Sequence, residues 1–390
     1  MENNDANKTA SETSGKPIKC KAAVCRKAGE ALVIEEIEVA TPKAWEVRLK
    51  IICTSLCHSD LTFWKLPHGP ASAFPRIFGH EAVGEVESVG EYVEEVKEGD
   101  IVVPVFLGDC GECKDCKSSK SNVCNKSMKH FFGMPRDGTT RFKDMNGEDI
   151  HHFLSVSSFT EYTVVDIIQL VKINPQMPVD KACLLSCGIS TGVGAVWKVA
   201  QVEEGSTVAV FGLGAVGLAV ARAAKLQGAS KIIGVDLNPK KENLGKEFGV
   251  TDFINPEDCK EKKISDVIKE LTDGGADYTF ECIGLASVMQ DAFDSARAGW
   301  GRTIILGVES QGAPLSINTW SMMTGKTVTG SYFGGIKPKS DIPVLVQRYM
   351  NKELCLDGFI THEVSFPEIN KAFEYLIQGE SLRCIIWMAK

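Results

Sequence analysis

Between residues 207 and 308, short apolar runs rich in β-branched residues alternate with helical stretches. The first run, Thr207–Phe211, leads into an Ala-rich helical stretch that stops at Gly228, and a second apolar run covers 231–235. The same rhythm continues as strand, helix, strand, helix and strand over 250–254, 264–271, 278–283, 286–298 and 303–308. Regular alternation of this kind predicts an α/β fold with a mostly parallel, doubly wound sheet.

The chain before Cys187 has a different pattern. Short strand-like runs are separated by turns that contain Gly and Pro, and they cover 47–52, 83–89, 101–105 and 162–165. This pattern favours a twisted, barrel-like β-domain rather than further βα units.

Composition narrows the class of protein. The chain has 390 residues, of which 44% are hydrophobic and 24% charged, and this length suits two globular domains. The net charge of −8 gives no attraction to nucleic acid or to anionic lipid, and we find no apolar run long enough to span a bilayer. Residues 1–17 are polar and predict a disordered tail rather than a signal peptide. With fourteen cysteines and no export signal, we expect a reduced, cytoplasmic setting.

A glycine-rich turn joins the first predicted strand to its helix. Gly212, Gly214 and Gly217 form G-x-G-x-x-G, and the next strand ends on Asp236, twenty-two residues after Gly214. This context predicts a dinucleotide site, with the pyrophosphate at the helix N-terminus and Asp236 on the adenosine ribose. Because the carboxylate would repel a 2′-phosphate, and Leu237 and Asn238 supply no arginine, we predict NAD rather than NADP.

The predicted strand 303–308 ends in Leu306-Gly307-Val308. Leu306 and Val308 are candidates to lie along the nicotinamide. A plain core strand is the alternative interpretation of these residues.

Four cysteines lie within fifteen residues, at separations of three, three and eight: Cys110, Cys113, Cys116 and Cys124. Four thiolates can close a tetrahedral shell around Zn²⁺ and leave no open position, so we predict a structural zinc site. A disulfide knot, a chance cluster and an iron–sulfur cluster are the alternatives, but Asn125 stands where a bacterial ferredoxin has proline. Loss of such a site should destabilise the protein rather than change its substrate.

Three further residues are candidate ligands of a reactive metal. They are Cys57 in L-C-H-S-D, His80 in F-G-H-E-A-V-G and Cys187 in L-L-S-C-G-I-S-T-G. Each has an ordinary explanation as a packed core residue, and their spacing alone does not place them together. Two thiolates and one imidazole with an open fourth position would, however, polarise an alcohol oxygen.

These motifs together resemble a zinc-dependent alcohol dehydrogenase of the medium-chain dehydrogenase/reductase superfamily. The resemblance covers about Ile18 to Lys390 and also includes I-H-H-F, F-T-E-Y-T-V-V-D and the closing R-C-I-I-W. Within the family, L-C-H-S-D followed by F-W is most similar to plant alcohol-dehydrogenase-like proteins. The resemblance implies a GroES-like β-barrel catalytic domain with a Rossmann domain inserted before the C-terminal segment. The expected limits are 1–17 for the tail, 18–188 and 332–390 for the catalytic domain, and 189–331 for the NAD-binding domain.

The resemblance also implies roles for individual residues. Cys57, His80 and Cys187 would bind a catalytic zinc, with Glu81 able to approach it, and Ser59 would begin a proton relay. The cofactor would be held by the glycine turn, Leu306 and Val308 together with His58, Thr191, Val216, Asp236, Lys241 and Arg383. The substrate channel would be lined by Phe106, Phe153, Leu154 and Trp64.

The implied activity is hydride transfer between NAD and a primary or secondary alcohol, or the corresponding aldehyde or ketone, with two Zn²⁺ per chain. The resemblance further implies a homodimer built through the cofactor domains, with strand 303–308 as a contributor. Thr62 stands where some relatives have the histidine that ends the proton relay, so proton release should take another route. The alternatives are an NADPH-dependent cinnamyl-alcohol-type reductase, a binding or regulatory protein that has lost activity, and a redox-sensing cysteine protein.

Overall fold

The computed structural model describes residues 15–69, 72–127, 129–130, 132–259, 262–309 and 312–389. Most of the predicted tail, residues 1–14, lies outside the described residues. Within the described ranges the chain forms three sheets, two that are largely antiparallel and one that is parallel.

The first half of the chain supplies the antiparallel strands. They are β1 (Ile18–Cys25), β2 (Val33–Val39), β3 (Glu46–Ser55), β4 (Arg76–Ile77), β5 (Glu81–Val89), β6 (Ile101–Pro104), β7 (Phe142–Asp144), β8 (Asp149–Ile150), β9 (Tyr162–Asp166) and β10 (Leu170–Lys172). Two short helices interrupt them, α1 (His58–Trp64) and α2 (Lys114–Lys117). One sheet has the order β4-β1-β2-β7-β8. The predicted strands at 47–52, 83–89, 101–105 and 162–165 correspond to β3, β5, β6 and β9.

The second half begins with α3 (Val179–Cys183) and α4 (Gly188–Gly194), which continues as a π-helix over Ala195–Ala200. The parallel strands follow: β11 (Thr207–Phe211), β12 (Lys231–Val235), β13 (Asp252–Ile254), β14 (Tyr278–Glu281), β15 (Arg302–Ile305) and β16 (Thr327–Gly330). The helices between them are α5 (Ala215–Leu226), α6 (Lys241–Phe248), α7 (Ile264–Leu271), α8 (Ala286–Ser295) and α9 (Thr319–Met323).

The parallel sheet has the order β13-β12-β11-β14-β15-β16. This is the strand order of a dinucleotide-binding fold. Successive strands are added on one side of β11 up to β13 and on its other side from β14 to β16, and a crevice lies between β11 and β14, where the strand order reverses. The predicted α/β class is therefore confirmed. Several predicted elements are too long: β14 ends at Glu281, α8 ends at Ser295 and β15 ends at Ile305. Leu306 and Val308 consequently follow β15 instead of lying within it.

Two glycines fix the turn between β11 and α5. Gly212 has a φ of +90°, which side chains other than glycine rarely adopt, and a Cβ on Gly217 would lie 1.8 Å from the carbonyl oxygen of Gly212. The helix therefore begins directly at the end of β11. The face that α5 turns inward is buried along most of its length, so the turn and helix are held rigidly at the crevice.

The last part of the chain contains α10 (Pro338–Met350), β17 (Ile360–Ser365), α11 (Ile369–Ile377) and β18 (Arg383–Trp387). β18 pairs antiparallel with β3, in the register Ile385 to Ser55, and completes a sheet of order β10-β6-β5-β3-β18-β17, while β9 also pairs with β3. The C-terminal segment thus joins the sheet of the first half. The limits assigned to the domains remain a prediction.

Among the described residues, no single helix is long and apolar enough to span a bilayer. The helical stretches 179–186 and 188–200, which are bent by 61° relative to each other, pass that test only as a pair and only by length and composition.

Candidate active site

The short helix α1 places the first candidate ligand. Cys57 precedes α1, and its backbone N–H donates to Oδ2 of Asp60 at 3.1 Å. Oδ1 of the same carboxylate accepts from the backbone N–H of Gly79 at 2.9 Å and lies 3.2 Å from Nδ1 of His80. Asp60 is fully buried, so one carboxylate fixes the start of α1, the loop before β5 and the orientation of the imidazole.

The structure brings the predicted ligands together. One donor atom from each of Cys57, His80, Glu81 and Cys187 lies within 4.8 Å of the others, and all four residues are buried. Nε2 of His80 is buried and has no hydrogen-bond partner among the described residues. The set therefore offers two thiols and one imidazole nitrogen that has no other partner. Such a set fits a tetrahedral zinc ion with one open position. Asp60 then supplies the carboxylate that usually orients a metal-binding histidine.

Glu81 lies in an ion pair behind the ligands. Its carboxylate accepts from Nε and Nη2 of Arg383 at 2.8 and 2.9 Å, from the hydroxyl of Ser55 at 2.9 Å and from the N–H of Gly188 at 3.0 Å. Nη2 of Arg383 is also 3.5 Å from the sulfur of Cys57. Both charged groups are buried, so the guanidinium joins β18 to the start of β5. The contact of Arg383 with pyrophosphate stays a prediction.

The electrostatics of the cluster favour a cation. The thiol of Cys187 donates to Cys57 and lowers the pKa of Cys57 well below its ordinary value, and Arg383 and His80 act in the same direction. Burial alone would lower the pKa of His80, but the negative charges of Asp60 and Cys57 outweigh it and raise that pKa. A buried thiolate and a buried carboxylate thus lie beside the imidazole. A divalent metal ion bound there would neutralise their negative charge.

Aromatic rings enclose the cluster. The ring of His80 lies 5.6 Å from Phe153 and 6.0 Å from Phe106, both in edge-to-face arrangements. Phe106 in turn packs on Phe333 at 4.8 Å and on Tyr332 at 5.5 Å. These rings give the site an apolar wall that suits the carbon skeleton of an alcohol.

The other two residues predicted for the substrate channel are Leu154 and Trp64. Leu154 directly follows Phe153, and its carbonyl accepts from Nε2 of Gln169 at 3.2 Å. Trp64 instead packs on Phe373 at 5.5 Å and donates to the carbonyl of Glu30 at 2.7 Å. The place of Trp64 in the substrate channel stays a prediction.

Ser59, predicted to start the proton relay, and His58, predicted to bind the cofactor, both lie on α1. His58 is exposed and Ser59 is half-buried, and both follow Cys57 directly. The hydroxyl of Thr62 donates to the carbonyl of His58 at 3.0 Å. This bond stays within the helix, and the route of proton release stays a prediction.

Residues predicted for the nicotinamide lie on α4, on α5 and directly after β15. Thr191 lies on α4, and its hydroxyl donates to the carbonyl of Cys187 at 2.8 Å. The next residue of α4, Gly192, approaches α5 so closely that a Cβ there would lie 2.5 Å from the carbonyl oxygen of Val216. Leu306 and Val308 follow β15 at the carboxyl edge of the sheet, where ligands of open α/β sheets bind.

Asp236, predicted to bind the adenosine ribose, directly follows β12. Its Oδ2 accepts from the N–H of Leu213 in the glycine turn and its Oδ1 from the N–H of Asn238, both at 2.8 Å. A carboxylate has about four acceptor positions, so capacity remains for ribose hydroxyls. Lys241 is half-buried at the start of α6, and burial lowers its pKa although Asp236 opposes this.

The four-cysteine lobe forms a second cluster. Ligand atoms of Cys110, Cys113, Cys116 and Cys124 also lie within 4.8 Å of one another. Backbone N–H groups of Cys113 and Cys116 donate to the sulfurs of Cys110 and Cys113, each at 3.3 Å. Burial raises the pKa of Cys113, but the backbone N–H groups of Cys116 and Asn125 outweigh it and lower the pKa to about 6. All fourteen cysteines lie in the described ranges as free thiols, so the structure favours a metal shell over a disulfide knot.

Two features of the site were not predicted from the sequence. Asp60 lies three residues after Cys57 in L-C-H-S-D, and an acidic residue at the third position of a helix is a recognisable capping signal. That signal could have identified it. Tyr332 and Phe333 reach the wall from the segment after β16, and no local pattern marks them.

The fold and the two clusters define a zinc-binding dehydrogenase of the medium-chain dehydrogenase/reductase superfamily. Residues 43–175 match the family model of the alcohol dehydrogenase GroES-like domain, and residues 215–351 match that of the zinc-binding dehydrogenase. The chain belongs to the zinc-binding alcohol dehydrogenase family, as the resemblance predicted. Membership implies zinc and a nicotinamide cofactor.

Plant proteins are among its relatives. The chain is 63% identical to alcohol dehydrogenase-like 2 of Arabidopsis thaliana over 383 residues, which cover 98% of this chain and 99% of that protein. It is 52% identical to alcohol dehydrogenase 1 of Petunia hybrida over 381 residues, covering 97% and 99%. Among solved structures, benzyl alcohol dehydrogenase of Acinetobacter calcoaceticus superposes with a TM-score of 0.86 at 30% identity and covers 95% of this chain and 100% of that one.

Proposed function

We propose that this protein is an NAD-linked alcohol dehydrogenase that holds two Zn²⁺ per chain and interconverts primary or secondary alcohols with their aldehydes or ketones. The observation that carries the proposal is the buried set of Cys57, His80 and Cys187, in which Nε2 of His80 has no other partner among the described residues. A zinc ion bound there would supply a Lewis acid that acidifies an alcohol hydroxyl and polarises a carbonyl.

The residues around the cluster would do the remaining work. Asp60 holds His80 in one orientation, and Arg383 neutralises Glu81 beside the cluster. Phe106 and Phe153 exclude water from the alcohol. The hydroxyl of Ser59 would receive the alcohol proton and pass it toward solvent at the exposed start of α1.

The choice of NAD rests on Asp236. Its carboxylate lies at the glycine turn and is bonded to the N–H of Leu213. A cofactor with a 2′-phosphate would bring a second negative charge to this carboxylate, which is unfavourable. The same residue argues against the NADPH-dependent cinnamyl-alcohol-type reductase.

The test begins with metal analysis of purified protein, for which we expect two zinc ions per chain. Turnover is then screened with NAD and NADP on primary, aromatic and terpenoid alcohols. Cys57→Ser should retain one zinc, lose turnover at least about 10³-fold and bind NAD as the wild type does. Cys355→Ser is the matched control because this thiol belongs to neither cluster, and it should change nothing. Full activity of Cys57→Ser, or one zinc in the wild type, would refute the catalytic zinc.

The proposal includes a homodimer. β15 is hydrogen-bonded on both sides, to β14 and to β16. The backbone of the predicted strand 303–308 is therefore not free to pair with a second copy of the chain. In the described part of the chain, β16 is one of the two edge strands of this sheet, and β13 is the other. Nearby, Trp320 and Met323 on α9 are 71% and 78% exposed. A free edge beside exposed apolar side chains favours pairing with a second copy.

Light scattering should give twice the chain mass of 42.4 kDa. Met323→Glu should shift the protein toward the monomer, and a wild-type mass of one chain would refute the dimer. We also propose a cytoplasmic location, because both clusters need reduced thiols. A fluorescent fusion protein that is found in a secretory compartment would contradict it.

A further inference from the structure

The four-cysteine lobe makes a specific contact with the segment that follows β16. Nδ2 of Asn122, two residues before Cys124, donates to the carbonyl of Tyr332 at 2.7 Å and to the carbonyl of Ile336 at 3.1 Å. These two carbonyls stand at the two ends of one turn, residues 332–336. A single amide group of the lobe therefore bridges that turn.

A second side chain strengthens the same contact from the opposite direction. Nζ of Lys337, directly after the turn, donates to the carbonyls of Cys116 at 2.7 Å and Ser118 at 2.6 Å. Both acceptors belong to the lobe, and one is the backbone of a predicted zinc ligand. The lobe and the turn thus exchange donors in both directions, which fixes their relative position.

The bridged turn has an uncommon backbone. Phe333 has φ and ψ of 52° and 31°, a left-handed conformation that is unfavourable for a residue with a side chain. The following Gly334 packs so tightly on α4 that a Cβ would lie 2.4 Å from the carbonyl oxygen of Thr191. Such a conformation persists only where surrounding contacts hold it, and Asn122 supplies two of them.

The turn delivers two rings to the wall of the active site. Phe333 packs on Phe106 at 4.8 Å and Tyr332 packs on Phe106 at 5.5 Å, while Phe106 lies 6.0 Å from the imidazole of His80. A continuous set of contacts therefore runs from the lobe through the turn to the ring beside the candidate metal ligand.

We propose that Asn122 is a positioning residue through which the four-cysteine lobe determines the shape of the alcohol pocket, with Lys337 as its counterpart on the turn. On sequence grounds the lobe was expected to affect stability alone. The contacts of Asn122 assign it a further role in selecting among alcohols. This inference rests on the proposed function, because it concerns the pocket of that same site.

The test compares Asn122→Asp with Asn125→Asp. Aspartate has nearly the shape of asparagine but no N–H, so the first change removes both bonds to the turn. The second makes the same change of charge at an exposed position of the same lobe. For Asn122→Asp we expect the ratio of kcat/KM for benzyl alcohol to that for ethanol to change about fivefold or more, chiefly through KM, at unchanged zinc content. Asn125→Asp should stay within about twofold of the wild type.

Hydrogen exchange gives a measurement that does not depend on activity. The amide of Ile336 donates to the carbonyl of Phe333 at 3.0 Å within the turn, and it should exchange about tenfold faster in Asn122→Asp. Lys337→Met, which keeps the apolar stem but removes the ammonium group, should change both readouts in the same direction.

Wild-type selectivity together with wild-type exchange in Asn122→Asp would overturn the inference. A change of selectivity that occurs only in preparations that have lost zinc would overturn it as well. If the wild type oxidises no alcohol with either nucleotide, the proposed function fails. The exchange of Ile336 still decides separately whether Asn122 holds the turn, because that measurement needs no substrate.

Discussion

A buried histidine away from the metal ligands should make the protein sensitive to acid. His152 is fully buried, stacks on Phe142 at 4.4 Å and accepts through Nε2 from the backbone N–H of Arg141 at 3.1 Å. Burial, with the nearby positive charge of Arg141, lowers the pKa of His152 from 6.5 to about 3. Between pH 6.5 and about pH 3, the folded protein therefore keeps this imidazole neutral, whereas the unfolded chain protonates it.

The sign follows from proton linkage. Below pH 6.5 the unfolded state binds more protons at His152 than the folded state, so the free energy of unfolding decreases as the pH falls toward 3. Each pH unit in that window costs about 1.4 kcal/mol. Between pH 7.5 and pH 5.0 only the part below 6.5 counts, and 1.5 pH units correspond to a loss of about 2 kcal/mol from this one residue.

His152→Gln keeps an acceptor for the N–H of Arg141 but does not titrate. We expect the difference in unfolding free energy between pH 7.5 and pH 5.0 to be about 2 kcal/mol smaller in the variant than in the wild type. Urea unfolding of zinc-loaded protein measures it, and other titrating groups cancel because both proteins share them. His68→Gln, at an exposed position, should leave the difference unchanged. Equal pH dependence in wild type and His152→Gln, or an NMR titration of His152 near pH 6.5, would refute the reasoning.

Three other changes test the site itself. Asp60→Ala leaves Nδ1 of His80 without its carboxylate. In a chelator competition, the zinc affinity of the catalytic site should fall about 10- to 100-fold while the four-cysteine lobe keeps its zinc. Unchanged affinity would contradict the orienting role of Asp60. Arg383→Met leaves Glu81 buried without its ion pair and should lower the free energy of unfolding by about 3–5 kcal/mol. A second change in the same chain, Glu81→Gln, should restore most of that loss because it removes the unpaired charge. Asp236→Ser should raise the NADP-to-NAD ratio of kcat/KM at least about tenfold, and an unchanged ratio would show that this carboxylate does not select the cofactor.

Features that depend on neighbouring residues could be predicted from the sequence. The glycine turn at 212–217 was predicted because a strand, a turn without side chains and a helix must follow one another for the backbone to approach a phosphate. The four-cysteine lobe was predicted because its ligands lie within fifteen residues, so their spacing already limits the geometry. Predicted strands were correct in type and wrong mainly at their ends, because apolar runs extend past the last residue that pairs within the sheet, as in 303–308.

Contacts between distant residues were decided by the tertiary structure alone. Arg383 reaches Glu81 across 302 positions of sequence because β18 pairs with β3, which lies beside β5. Asp60 joins Cys57 to His80 because α1 packs on the loop before β5. The same holds for Asn122, whose amide meets the turn after β16 more than 200 residues later. A single sequence records what each residue favours locally, whereas these contacts depend on which strands pair and in which register. The sequence by itself therefore determined the cofactor turn and the four-cysteine lobe, while the tertiary structure decided how the catalytic cluster is assembled and what holds its wall in place.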